Sequence, residues 1–102
     1  MASSTPFNLP LSAALGRSEA LTDLLKRLRE SQARFAVIRP LLPESLASSL
    51  SPGPLDDQAW VLLAANPSAA AKLRQCLPEL QAALLAAGWA DLPIKVKVRT
   101  VD

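Results

Sequence analysis

Leu21, Leu24, Leu25 and Leu28 stand at i, i+3, i+4 and i+7. That spacing marks one face of an amphipathic helix, a face that in globular proteins is ordinarily turned to a core. Phe35 continues the stripe one heptad after Leu28. Ser18 suits the N-cap, because its hydroxyl can accept from a free amide of the first turn. Glu19 and Asp23 would then sit near the positive end of the helix dipole. Pro40 has no amide hydrogen and restricts its predecessor, so the helix is predicted to stop near Ile38 or Arg39.

Beyond Pro40 the pattern shortens. Leu41–Leu50 reads as a second, brief helix, with Pro43 in its first turn and Leu46 and Leu50 on one side. Ser51-Pro52-Gly53-Pro54 is a breaker, and Leu50–Leu55 reads as at most a weak strand. Trp60–Ala64 is short, apolar and bounded by turn signals, which predicts a buried strand. Asn66-Pro67 predicts a helix start, with Asn at the cap and Pro at the first helical position. Leu73, Leu77, Leu80 and Leu84 then repeat at helical spacing, interrupted by Pro78. Either one helix kinks there or two helices meet. Gly88 is the expected C-cap. Ile94-Lys95-Val96-Lys97-Val98-Arg99 alternates strictly between apolar and basic, the clearest strand pattern in the chain.

This order predicts an α+β domain with helices covering one face of a small sheet. Residues 1–17, rich in Ser, Pro and Ala, read as a flexible N-terminal arm from which Phe7, Leu9, Leu11 and Leu15 could dock. Residues 18–102 read as a single domain. At 102 residues, 50% hydrophobic and 20% charged, the chain has a globular composition. The longest apolar runs fall far short of a membrane span, and no secretory signal is apparent. Cys76 is the only cysteine and there is no histidine. Those counts rule out an internal disulfide, leave no metal-ligand cluster, and make a cytoplasmic location the expectation.

The missing histidine also removes the commonest general base. Asp56 and Asp57 are adjacent in a turn, a poor arrangement for paired-carboxylate chemistry. Ser68 and Lys72 are one helical turn apart, but nothing else assembles a nucleophile around them. No glycine-rich phosphate loop exists. A binding protein without cofactor is therefore expected in preference to an enzyme.

Cations carry the candidate chemistry. Lys95, Lys97 and Arg99 point to one side of the last strand, where they could replace counterions on a phosphate backbone. They could equally guard a sheet edge against aggregation. Lys26, Arg27, Arg29, Arg34 and Arg39 give the first helix a basic side, either a binding surface or an ordinary solvated face with an Asp23–Arg27 pair. Lys72 and Arg74 follow a helix start that favours anions, although such caps usually do no more than begin a helix. Trp60, Trp89 and Cys76 read more simply as core or core-edge residues than as binding anchors. The net charge of +2 is a mild bias, so the distribution of charge matters more than its total.

Several segments together carry a family likeness. They are Leu41-Leu42-Pro43, Trp60-Val61-Leu62-Leu63-Ala64, the run Asn66-Pro67-Ser68-Ala69-Ala70-Ala71-Lys72-Leu73-Arg74, Leu77-Pro78-Glu79-Leu80 and Ile94–Arg99. Over about Phe35–Arg99 the chain resembles the DciA family of bacterial proteins linked to loading or operation of the replicative helicase. The resemblance implies a small K-homology-like domain with helices packed on one face of a three-stranded sheet. It also implies affinity for DNA, single-stranded or forked, and association with the replicative DNA helicase. The sequence departs from the family at Leu50–Gln58, which is Pro-rich where a first strand is expected. It also lacks the G-x-x-G clamp with which K-homology domains hold RNA. The nucleic-acid-binding candidates are thus Lys26, Arg27, Arg34, Arg39, Lys72, Arg74, Lys95, Lys97 and Arg99. The alternative is a protein–protein interaction module without significant DNA binding, using exposed leucines or the N-terminal arm.

Overall fold

The computed structural model describes residues 11–99, with side chains from Ser18 onward. The chain runs α1 (Leu11–Ile38), a 3-10 turn (Arg39–Leu41), α2 (Glu44–Ala47), β1 (Leu50–Leu55), β2 (Trp60–Ala64), α3 (Pro67–Ala86) and β3 (Ile94–Val98). Strand β2 is central, with β1 antiparallel on one side and β3 parallel on the other. The β1–β2 hairpin needs only a short turn, whereas the parallel pair needs a crossover, which α3 supplies.

Alternation along the strands gives the sheet two unlike faces. Trp60, Leu62 and Ala64 are fully buried, while Val61 and Leu63 are half-buried. Ile94 lies opposite Trp60 and Leu50 opposite Ala64, so both join the inner face. Ile38 from α1, Leu42 and Leu46 from the connection, and Leu73, Leu80 and Leu84 from α3 close the core. This is a small α+β domain with a three-stranded mixed sheet and helices packed against it, compatible with a K-homology-like domain.

The Pro-rich segment does form β1, because β1 is an edge strand and prolines cost an edge few ladder bonds. The register slips between Pro52 and Leu55, a local irregularity around Gly53. A Cβ on Gly53 would lie 2.9 Å from the Val61 carbonyl oxygen, so only glycine lets the two strands approach this closely.

Helix α3 is one continuous helix through Pro78. Pro78 is exposed, so water can reach the carbonyl its missing amide leaves free. The two ends of α3 follow the expected rules. Asn66 Oδ1 accepts from the Ala69 amide at 2.8 Å, and Gly88 has φ +96°. The Gly88 amide donates to Leu85 and the Trp89 amide to Leu84, the paired bonds of a Schellman ending.

Two expectations need correction. Helix α1 already includes Leu11, so it does not start at Ser18, which lies inside it. Ala13, Ala14, Leu15 and Ala20 are strong helix formers, and a single glycine at 16 costs only about 1 kcal/mol. Phe7 and Leu9 lie outside the described residues. The second helix is a single turn, Glu44–Ala47, with Pro43 as its N-cap residue. Leu50 has already entered β1.

The leucine stripe of α1 does not cover the core. Leu21, Leu24, Leu25 and Leu28 are 57%, 62%, 46% and 51% exposed, whereas Ser31, Arg34 and Ile38 are buried. Direction and length together explain the difference: at about 100° per residue, Leu25 and Leu28 lie roughly a quarter turn or more from the side that carries Ser31, Arg34 and Ile38. A helix of 28 residues is about 42 Å long, and strands of five or six residues reach only about 17–20 Å. The C-terminal half of α1 packs on the domain and the N-terminal half overshoots it.

Candidate nucleic-acid interface

Strand β3 positions two cations by its pleat, and a third follows its last residue. Its alternate residues Ile94 and Val96 turn to the core, so Lys95 and Lys97 are exposed on the other face, and Arg99 is exposed just past the end of the strand. Lys95 pairs in register with Val61 and Lys97 with Leu63. The outer face of the sheet is thus an apolar floor bordered by cations along an edge strand. None of the three makes an ion pair with a described residue.

The two ends of this strand differ electrostatically. At the Lys95 end lies the β1–β2 turn, where the Asp56 carboxylate accepts from the Gln58 amide at 2.7 Å and the Ala59 amide at 2.9 Å. Those two hydrogen bonds hold Asp56 below the ordinary aspartate value of 3.8, and the charges of Arg27 and Lys95 add to the effect. Arg27 also reaches Asp57 at 3.7 Å. The cations at that end therefore share their field with two carboxylates. The other end carries no such acids among its strand partners. There the Arg99 amide donates to the Ala64 carbonyl at 2.7 Å, two residues before the Asn66 cap of α3. Lys72, exposed in the second turn of α3, borders a polar hollow of about 260 Å³ with Ser45, Ser49, Asn66 and Ser68. Lys97, Arg99 and the start of α3 thus lie toward one end of the sheet.

The basic side of α1 does not hold together as a surface. Arg34 is 1% exposed. Its Nε donates to Glu30 at 2.9 Å, its second terminal nitrogen to the Ala90 carbonyl at 3.2 Å, and its guanidinium lies 5.3 Å from the Trp89 ring centroid. It fastens α1 to the segment after α3 and is not presented to a ligand. Arg27 pairs with Asp23 at 3.2 Å, as the spacing predicts, and Arg39 with Glu44 at 3.1 Å. Lys26 on α1 and Arg74 on α3 are exposed, and no ion pair engages either among the described residues. Of the nine candidates, then, the structure groups Lys95 and Lys97 on one strand face, leaves Arg99 exposed just beyond it, brings Lys72 toward the same end, and withdraws Arg34.

Trp60 is wholly buried and Trp89 half-buried against the core, so both serve packing. Among the described residues there is no group of three potential metal ligands, and no helix is long and apolar enough to cross a membrane. The exposed leucines of α1 are the feature that periodicity alone misassigns. The signal available was the run of helix formers before Ser18, which makes the helix too long for its sheet. Comparison with protein-family models and with curated proteins finds no match.

Proposed function

We propose that this protein is a non-enzymatic adaptor that binds nucleic acid through the exposed face of β3. The observation that carries the reading is Lys95 and Lys97 on one side of an edge strand, with Arg99 exposed just past its end, all three free of ion pairs to described residues. Adjacent cations of this kind neutralise successive phosphates and release their counterions. Two of the four aromatic side chains are the tryptophans committed to packing, so contact through the backbone fits better than base stacking. The resemblance of Phe35–Arg99 to the DciA family points the same way. It suggests forked or single-stranded DNA as the ligand and assistance to the replicative DNA helicase as the role, in the bacterial cytoplasm.

The test is fluorescence anisotropy with a labelled DNA fork carrying a single-stranded tail, titrated over a range of salt. Wild-type affinity should fall steeply with salt. Lys97→Glu should weaken binding and reduce the log–log salt slope by about one unit. An unchanged affinity and slope would remove this face as the site.

A second reading, a protein-interaction module, is favoured by a different observation: four leucines of one helix face are each about half exposed. A monomer seldom leaves such a stripe open without a use for it.

A further inference from the structure

We propose that the exposed face of α1 is a homodimer interface, in which two copies of α1 pack antiparallel about a two-fold axis beside Leu24 and Leu25. This inference does not rest on the nucleic-acid reading.

The first argument is symmetry. A two-fold interface requires that if residue i meets residue j, then j meets i. The leucine spacing satisfies this about its own midpoint: Leu21 faces the partner's Leu28, and Leu24 faces the partner's Leu25. Two antiparallel copies would therefore overlap about the level of Leu24 and Leu25. The stretch of each α1 that carries Ser31, Arg34 and Ile38 to its own sheet falls level with residues 11–18 of the other.

The second argument is shape. Leu24 and Leu28 also line a groove of about 530 Å³ between α1 and the β1–β2 hairpin, together with Pro52, Pro54, Leu55 and Leu63. In the antiparallel arrangement the partner's Leu25 and Leu21 arrive at these two positions. They would enter an apolar groove as well as meet a helix.

The third argument is charge. At about 100° per residue, Glu19, Asp23, Lys26 and Glu30 fall on the back of the helix, away from the stripe. Arg27 and Arg29 flank it. Arg27 lines the groove and is already paired with Asp23 and Asp57. A second copy therefore brings no uncompensated cation there, whereas an acidic partner would compete with carboxylates already in place. Arg29 falls level with the partner's Ala20, between the hydroxyls of the partner's Ser18 and Thr22. Among the residues whose side chains are described, no like charges oppose one another across the seam.

Area permits the same conclusion. Four leucines, each about half exposed, leave open on the order of 300–400 Å² per chain, comparable to the largest apolar patch on a typical monomer. Doubled, this is on the order of 600–800 Å², and the groove with the flanking polar residues has to supply the remainder of the roughly 1,200 Å² at which specific interfaces begin.

The experiment is light scattering coupled to size exclusion on the full chain, over a concentration series from about 1 to 200 μM, a span that covers moderate dimer affinities. The wild type should approach twice the 10.8 kDa chain mass. Leu25→Glu should shift it to monomer, weakening association at least tenfold, with an unchanged circular dichroism spectrum because the side chain is already exposed. In a Cys76→Ser background, mixing Leu21→Cys with Leu28→Cys chains should give a cross-linked dimer on oxidation faster than either chain alone. Monomer at every concentration would overturn the proposal and leave the stripe to a different partner. A dimer indifferent to Leu25→Glu, or one that cross-links fastest through Leu21→Cys alone, would overturn it too.

Discussion

Ser31 is a polar residue on the buried side of α1, and its hydroxyl joins three elements. It accepts from Trp60 Nε1 at 2.9 Å and donates to the Gly53 carbonyl at 2.7 Å. The largest core side chain and the irregular stretch of β1 are thereby tied to the same helix. In Ser31→Ala a buried indole N–H and a backbone carbonyl would both lose their partner. The expected cost is about 1–3 kcal/mol, read as a lower denaturation midpoint with an unchanged m-value. Arg34 acts at the same level, its charge met by Glu30 and its plane by Trp89. Asp56 is the titrating counterpart. Its folded value lies below the ordinary 3.8, so its contribution to stability is fully present above that value and is lost as pH falls through the lower, folded one. A carboxyl-carbon NMR titration should place the Asp56 midpoint below that of an unstructured aspartate. Asp56→Asn should flatten the acid limb of the stability curve, and a midpoint at or above the ordinary value would contradict the two amide hydrogen bonds.

Within the elements, the interruptions in sequence need not be interruptions in structure. Pro78 leaves α3 continuous because it sits on the solvent side, while Leu73, Leu80 and Leu84 hold the helix against the sheet on the other. The proline still removes a helical hydrogen bond. Pro78→Ala should restore it and raise stability by a net of about 1–2 kcal/mol, the helical gain being partly offset by a freer unfolded chain. Calorimetry would show this as a rise in Tm, and a fall would mean that the proline shapes the helix to fit. Strand β3 illustrates the reverse case. Its alternation specifies both the pleat and which face the cations take, and the structure shows them there. Edge position then leaves the three cations open to solvent, available to a ligand and obstructive to edge-to-edge pairing at once.

At the scale of the whole molecule, the sheet and its helices divide the surface into two regions of unlike chemistry. The β3 face is cationic, with its acids gathered near Asp56 and Asp57 at one end. The projecting half of α1 is apolar on one side. Phosphate binding should show in the salt slope and respond to Lys97→Glu. Self-association should show in the mass and respond to Leu25→Glu. Exchanging the two readouts separates the regions: Leu25→Glu should leave the salt slope per chain intact, and Lys97→Glu should leave the dimer intact.

Local rules sufficed wherever the deciding interaction lies within a few residues. The Asn66 cap, the Gly88 ending, the stop at Pro40, the strands Trp60–Ala64 and Ile94–Val98 and the Asp23–Arg27 pair are all set by short-range backbone and side-chain chemistry, and the sequence determined them. The α+β class followed from their order. What the sequence could not decide depends on how far one element extends relative to another. Whether a leucine stripe meets a core or water depends on the length of the sheet and on which side of the helix it meets. Whether Arg34 faces a ligand or Trp89 depends on a contact spanning more than fifty residues. Whether Pro52 and Pro54 forbid a strand depends on whether that strand is central or at the edge. Each of these is settled only when distant segments pack, because burial is a property of the assembled fold and not of a spacing.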